Sequence, residues 1–137
     1  MVSSRALSNI KILTVDDQAD TRTILKIFLE RSGAEVIAVE SGPAALVEIQ
    51  RRKFDVILCD IGMPGMDGYQ LLQKVRELEP KIGCRPAIAC TAYVAPADVA
   101  RARRAGFQAH IAKPVDPAEL VNTVASVISD DRPTADQ

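Results

Sequence analysis

The sequence predicts an α/β domain built on a parallel sheet with helices over both faces. Three observations predict it. Short apolar runs alternate with longer segments of helical spacing from residue 10 to residue 129. The runs are too short for core helices and rich in Ile and Val, so they read as strands. Several of the intervening segments carry start and stop signals of helices. Five strands alternating with five helices imply parallel pairing, with both sheet faces covered.

The first run, Ile10 to Val15, is followed by a stripe of Ile24, Leu25, Phe28 and Leu29, closed by Gly33 just past the helix end. Glu35 to Val39 is the second run, and Ala45, Leu46 and Ile49 mark the helix behind it. Phe54 to Cys59 is the third, followed by Leu71, Leu72, Val75 and Leu78. After the fourth run, Pro86 to Cys90, comes an alanine- and arginine-rich helix from Pro96 to Ala105 that stops at Gly106. The fifth run is Ala109 to Ala112. Asp116-Pro117-Ala118-Glu119 then supplies an acidic N-cap, a first-turn proline and a glutamate three on, which starts a last helix. Its buried face is expected to be Leu120, Val121, Val124 and Ile128. One domain over residues 10–129 accounts for the pattern, with flexible polar ends at 1–9 and 130–137.

Charge removes some function classes. With 17 basic and 18 acidic residues the net charge is −1, so no overall field favours nucleic acid or a membrane surface. The longest aliphatic stretches, such as Val56-Ile57-Leu58-Cys59, fall far short of the ~20 residues that span a bilayer. The start, Met1-Val2-Ser3-Ser4-Arg5, has no apolar secretory core behind it, and the expected location is cytoplasmic. Cys59, Cys84 and Cys90 have no metal-type spacing; Cys59 and Cys90 sit in apolar runs, where a free thiol packs as a small hydrophobe.

Ligands of open α/β sheets bind beyond the carboxyl ends of the strands. The first run ends Val15-Asp16-Asp17, the third Cys59-Asp60, the fourth Cys90-Thr91 and the fifth Ala112-Lys113-Pro114. Three carboxylates, a hydroxyl and an ammonium are therefore expected at one edge. Clustered carboxylates repel, and a divalent cation relieves the repulsion. Oxygen donors suit Mg²⁺ rather than zinc, and His110, the only histidine, cannot build a zinc site alone. Such a cation would accept phosphoryl oxygens, with Lys113 and Thr91 taking the others and Asp60 as the nucleophile that becomes an aspartyl phosphate.

These motifs resemble a response-regulator receiver domain. The matching elements are Val15-Asp16-Asp17, Asp60 followed by Met63-Pro64-Gly65-Met66-Asp67-Gly68, Thr91-Ala92 and Lys113-Pro114, over nearly the whole chain. The resemblance implies a flavodoxin-like, doubly wound sheet of order 2-1-3-4-5. It implies Asp60 as phospho-acceptor from a histidine kinase or histidine-phosphotransfer protein. Asp17, Asp60 and the Gly62 carbonyl would ligate Mg²⁺ directly, and Asp16 through a water. Thr91 and Lys113 would hold the phosphoryl oxygens, and the Lys113–Pro114 peptide would be cis. His110 stands at the switch position that is often Tyr or Phe in the family, and Tyr93 could cover the phosphoryl group. Readout would use the fourth helix, fifth strand and fifth helix. The stretch from Gly106 to Val121 is similar to receivers of hybrid sensor kinases, which suggests a phosphorelay.

Plainer readings compete residue by residue. Asp16 and Asp17 could cap the next helix, Asp60 could start a turn, and Lys113 could be a solvated strand-end charge. His110 could be an ordinary surface residue. Arg101, Arg103 and Arg104 read as a solvated helix face or as a site for an acidic partner. A haloacid-dehalogenase-like phosphatase also uses an aspartate nucleophile with Mg²⁺, but carries an acid where this chain has Gly62. A degenerate, unphosphorylated receiver would lack members of the acid, threonine and lysine set.

Overall fold

Alternating apolar side chains need cover on both sides of a strand, and this sheet obtains it from two helical layers. In the computed structural model, which describes residues 6–78, 85–92 and 95–131, the strands are β1 (Lys11–Val15), β2 (Glu35–Val39), β3 (Val56–Asp60), β4 (Ala87–Thr91) and β5 (Ala109–Ala112). The helices among the described residues are α1 (Ala19–Arg31), α2 (Gly42–Arg51), α3 (Gly68–Arg76), α4 (Pro96–Ala105) and α5 (Pro117–Asp131). All strand pairs are parallel and the order is 2-1-3-4-5, as the sequence predicts.

Successive residues of a strand face opposite sides. Leu13, Val15, Ile57, Cys59, Ala87 and Ala89 pack on one side, against α2, α3 and α4. On the other side Ile12, Val56, Leu58, Ile88 and Cys90 meet Leu25 and Leu29 of α1 and Leu120, Val124 and Val127 of α5. Local chemistry sets the helix ends. The Asp67 carboxylate accepts the Gln70 N–H while the Gln70 side chain accepts the Asp67 N–H, a reciprocal cap at the start of α3. Asp116 accepts the Glu119 N–H at 2.9 Å and starts α5. Gly106, at φ 110°, ends α4 in the left-handed region.

Three expectations need correction. Leu7, assigned by sequence to a flexible end, is buried in the α1–α5 layer, and its N–H donates to the Ser32 carbonyl at 2.8 Å. A lone apolar residue in a polar tail gave no periodic signal. Ile24 is exposed, because the inward line of α1 passes through Leu25 and Leu29. Val127, one turn beyond Val124, is buried on α5, whereas Ile128 is only partly so. The stretch 132–137 of the expected tail, and Cys84, lie outside the described residues.

Candidate functional site

Register places the chemistry. Val15 pairs with Cys59, so the next residues, Asp16 and Asp60, leave adjacent strands at one level. Thr91 pairs with Ala112, which puts Lys113 one residue beyond the end of β4. One carboxylate oxygen from each of Asp16, Asp17 and Asp60 lies within 4.8 Å of the others. The Lys113 ammonium is 2.9 Å from Asp16 Oδ2 and 3.4 Å from Asp60 Oδ1. Asp16, Asp60 and Thr91 are buried, whereas Asp17 is exposed.

Each group is held by its neighbours. Asp16 Oδ1 accepts the Gln18 N–H at 2.9 Å, and the Asp16 carbonyl accepts Arg22 Nη1 at 2.8 Å. Asp60 Oδ1 accepts the Gly62 N–H at 3.1 Å. The Lys113 N–H donates to the Thr91 carbonyl at 2.9 Å, and the Lys113–Pro114 peptide is cis. The loop after β3 is pinned at Gly68. A Cβ there would stand 2.7 Å from the Asp60 carbonyl oxygen and 2.8 Å from Ile61 Cα, so a larger residue would displace the backbone of Asp60 itself. A Cβ on Gly62, by contrast, would meet nothing within 4 Å.

Charge at the site is unbalanced. Burial, and then the charge of Asp16, push the Asp60 carboxyl up to about 6, against the pull of Lys113 and the Gly62 N–H. Burial alone would lower Lys113, but its hydrogen bond to Asp16 and the charges of Asp60 and Asp16 raise it above the ordinary lysine value. Three carboxylates against one ammonium leave an excess of two negative charges, which matches a divalent cation. The donors are all oxygens, the chemistry that suits a hard cation and not zinc. Burial drives the Cys59 thiol well above its usual range and the Cys90 thiol up to about 12, so both pack as neutral groups.

Beside the acids a cavity of about 340 Å³ opens between the β3–α3 loop and α4, with Gly62, Thr91, Tyr69, Arg101 and His110 in its wall. His110 lies on β5 with its side chain exposed. Tyr93 lies outside the described residues. Sequence reasoning missed Arg22, which anchors the turn after β1, and the close approach at Gly68. Arg22 gave no signal of its own, since an arginine in a helix normally reads as solvated. Gly68 was visible only as turn chemistry.

Comparison with known proteins gives the same family at every level. The response regulator receiver domain family matches residues 12–125. An uncharacterized 14.6 kDa protein of Leptolyngbya boryana is 42% identical over 120 residues, which are 88% of this chain and 91% of that one. The sensor protein GacS of Pseudomonas syringae pv. syringae is 35% identical over 125 residues, 90% of this chain but only 14% of GacS. Among solved structures, the chemotaxis response regulator CheY4 of Vibrio cholerae superposes with a TM-score of 0.81 at 30% identity, covering 86% of this chain and 98% of that one. A CheY-like receiver domain protein of Methanospirillum hungatei JF-1 gives 0.80 at 31% identity, covering 90% and 96%.

Proposed function

The chain belongs to the response regulator receiver family of two-component signalling, and we propose that it is a Mg²⁺-dependent switch phosphorylated on Asp60. The donor in this reading is a phosphohistidine of a histidine kinase or histidine-phosphotransfer protein. The observation that carries it is the convergence of Asp16, Asp17 and Asp60 within 4.8 Å, with Lys113 bridging two of them.

Asp17, Asp60 and the Gly62 carbonyl would hold the ion, with Asp16 reached through a water. The ion, when bound, supplies positive charge for both the carboxylates and the incoming phosphoryl oxygens. In the transfer, a carboxylate oxygen of Asp60 forms the new bond to phosphorus as the bond to the donor imidazole nitrogen breaks. The departing imidazole keeps that electron pair. Lys113 stabilises the charge on the phosphoryl oxygens, and the Thr91 hydroxyl donates to one of them. Asp60 must be ionised to attack, and the same cation that collects the acids favours that state.

Phosphorylation leaves nearly two negative charges beside Thr91. Thr91 moving towards them, and His110 filling the space behind it in the adjoining cavity, would reshape the surface of α4, β5 and α5 for a protein target. Acting on its own Asp60, the domain is a signalling switch rather than a conventional enzyme. No described helix is long and apolar enough to cross a membrane, which is compatible with a cytoplasmic setting. Hybrid-kinase relatives such as GacS support a phosphorelay as that setting. Asp60→Asn is expected to abolish labelling by acetyl phosphate or a cognate phosphohistidine, with the circular dichroism spectrum unchanged. Labelling that persists in that variant means the acceptor is elsewhere.

A further inference from the structure

On the side of α4 turned towards α3 lies a groove of about 580 Å³ whose wall includes Tyr69, Gln73, Arg76, Glu77, Arg101 and Arg104, with Tyr69 and Arg101 shared with the cavity beside the acids. Its arginines differ from those at the end of α2. There Arg51 and the capping residue Arg52 both lie within 4.0 Å of Glu48. On α4, Arg101, Arg103 and Arg104 have no carboxylate within 4.0 Å among the described residues. This holds although Glu77 lines the same groove and Asp98 stands one turn before Arg101.

Instead the Arg101 guanidinium lies 4.1 Å from the centroid of the Tyr69 ring, which fixes it across the groove. Arg76 is tied to the fold, its guanidinium donating to the carbonyls of Arg85 and Gly106. Among the described residues Arg101 and Arg104 are therefore forked donors without a carboxylate, and Arg101 lies over an aromatic floor. Guanidinium groups pair with carboxylates in two-pronged fashion, and a flat ring accepts an apolar side chain beside them.

We infer that this groove docks an acidic segment of a partner protein, with Arg101 and Arg104 taking its carboxylates and Tyr69 an adjoining apolar side chain. A nucleic-acid partner fits less well. Arg101 and Arg104 lie on one short helix of a chain with net charge −1, whereas a phosphate backbone needs a longer basic track. Nothing in the inference depends on the chemistry at Asp60.

The test is an amide NMR titration of the full chain with a short synthetic peptide in which glutamates flank one phenylalanine. Shifts should concentrate at Tyr69, Gln73, Arg101, Arg104 and Ala105, and binding should weaken as salt is raised past the point where the screening length falls below ~10 Å. The double reversal Arg101→Glu with Arg104→Glu, on exposed side chains, should weaken binding by about tenfold or more, since like charges then face each other. Arg101→Lys with Arg104→Lys should retain part of the affinity. No shifts at millimolar peptide, shifts elsewhere, or tighter binding of a single-stranded oligonucleotide through the same arginines would each overturn the inference. Acetyl phosphate labelling in parallel separates the two readings. A chain that binds peptide but is never labelled refutes the switch alone, and one that is labelled without binding refutes the groove alone.

Discussion

At their amino-terminal halves β1, β3 and β4 present Ile12, Val56, Ala87 and Ile88, all fully buried and apolar. At their carboxyl ends the same strands run into Asp16, Asp60 and Thr91, also buried, and β5 adds Lys113. Burial is nearly equal at the two ends, but its energetic sign is not. Apolar burial is favourable at about 25 cal/mol per Å². Burial of like-charged carboxylates opposes folding until something compensates them. The strands are thus stabilised at one end and strained electrostatically at the other, and that strain is what a bound cation would relieve.

The largest expected effect tests the apolar half. Leu58, 1% exposed in the middle of β3, packs in the α1–α5 layer. Leu58→Ala should lower stability by about 3 kcal/mol in urea unfolding, the usual cost of a buried cavity of that size. Mg²⁺ affinity of the folded variant should be nearly unchanged. A loss below about 1 kcal/mol would mean that the sheet collapses onto the gap and that the apolar half is less tightly packed than the burial suggests.

A smaller effect of opposite sign is expected at the other end. The Asp60 carboxyl is raised from 3.8 to about 6 in the fold, first by burial and then by Asp16. A raised carboxyl favours folding while it is protonated in both states, and that contribution is lost as pH climbs through the folded value. The metal-free protein should therefore lose about 1–2 kcal/mol from this group between pH 4 and pH 6, less than the full shift because solvent reaches the site. Asp60→Asn should recover it at neutral pH and flatten the profile in chelator. Added Mg²⁺ should stabilise the parent chain and leave the variant almost unmoved. A variant less stable than its parent under metal-free conditions would show that the acids are already compensated within the protein.

Much of this contrast was legible in the sequence, for a physical reason. Strands and site are both written locally: an apolar run ending in a charged residue states where apolar packing stops and chemistry begins, as in Val15-Asp16-Asp17 and Cys59-Asp60. The parallel pairing then brings those ends to one level without further information. What stayed hidden depends on rotation and on close approach. The choice between Ile24 and Leu25 as the inward residue of α1 is a matter of one helical step. Leu7 is held by its hydrogen bond to Ser32, a turn bond from the Ile10 N–H and a hydrophobic pocket, none of which has a periodic signature. Gly68 is required because a Cβ there would stand 2.7 Å from the carbonyl oxygen of Asp60, eight residues back along the chain, a closeness that the local sequence does not announce. Arg22 and the Arg101–Tyr69 stack likewise join residues whose sequence neighbours say nothing of the partner.

The smallest effect concerns a polar exception where the apolar half gives way to the site. Thr14, the fourth of the five residues of β1, is fully buried, and its hydroxyl has no hydrogen-bond partner among the described residues. It lies between Ala38 of β2 and Leu58 of β3, on the face that meets α1 and α5. A hydroxyl deprived of water and unpaired costs free energy, whereas a methyl of the same shape does not. Thr14→Val keeps the volume and the branching that β strands favour. It should therefore raise stability by about 1 kcal/mol, shifting the urea midpoint without changing the slope of the transition. Mg²⁺ affinity should stay as it is, because Thr14 stands two residues before Asp16 and faces the helical layer. If stability fell instead, the hydroxyl would have to be satisfied by an internal water, and the interior beside the α1–α5 layer would be wetter than its side chains imply.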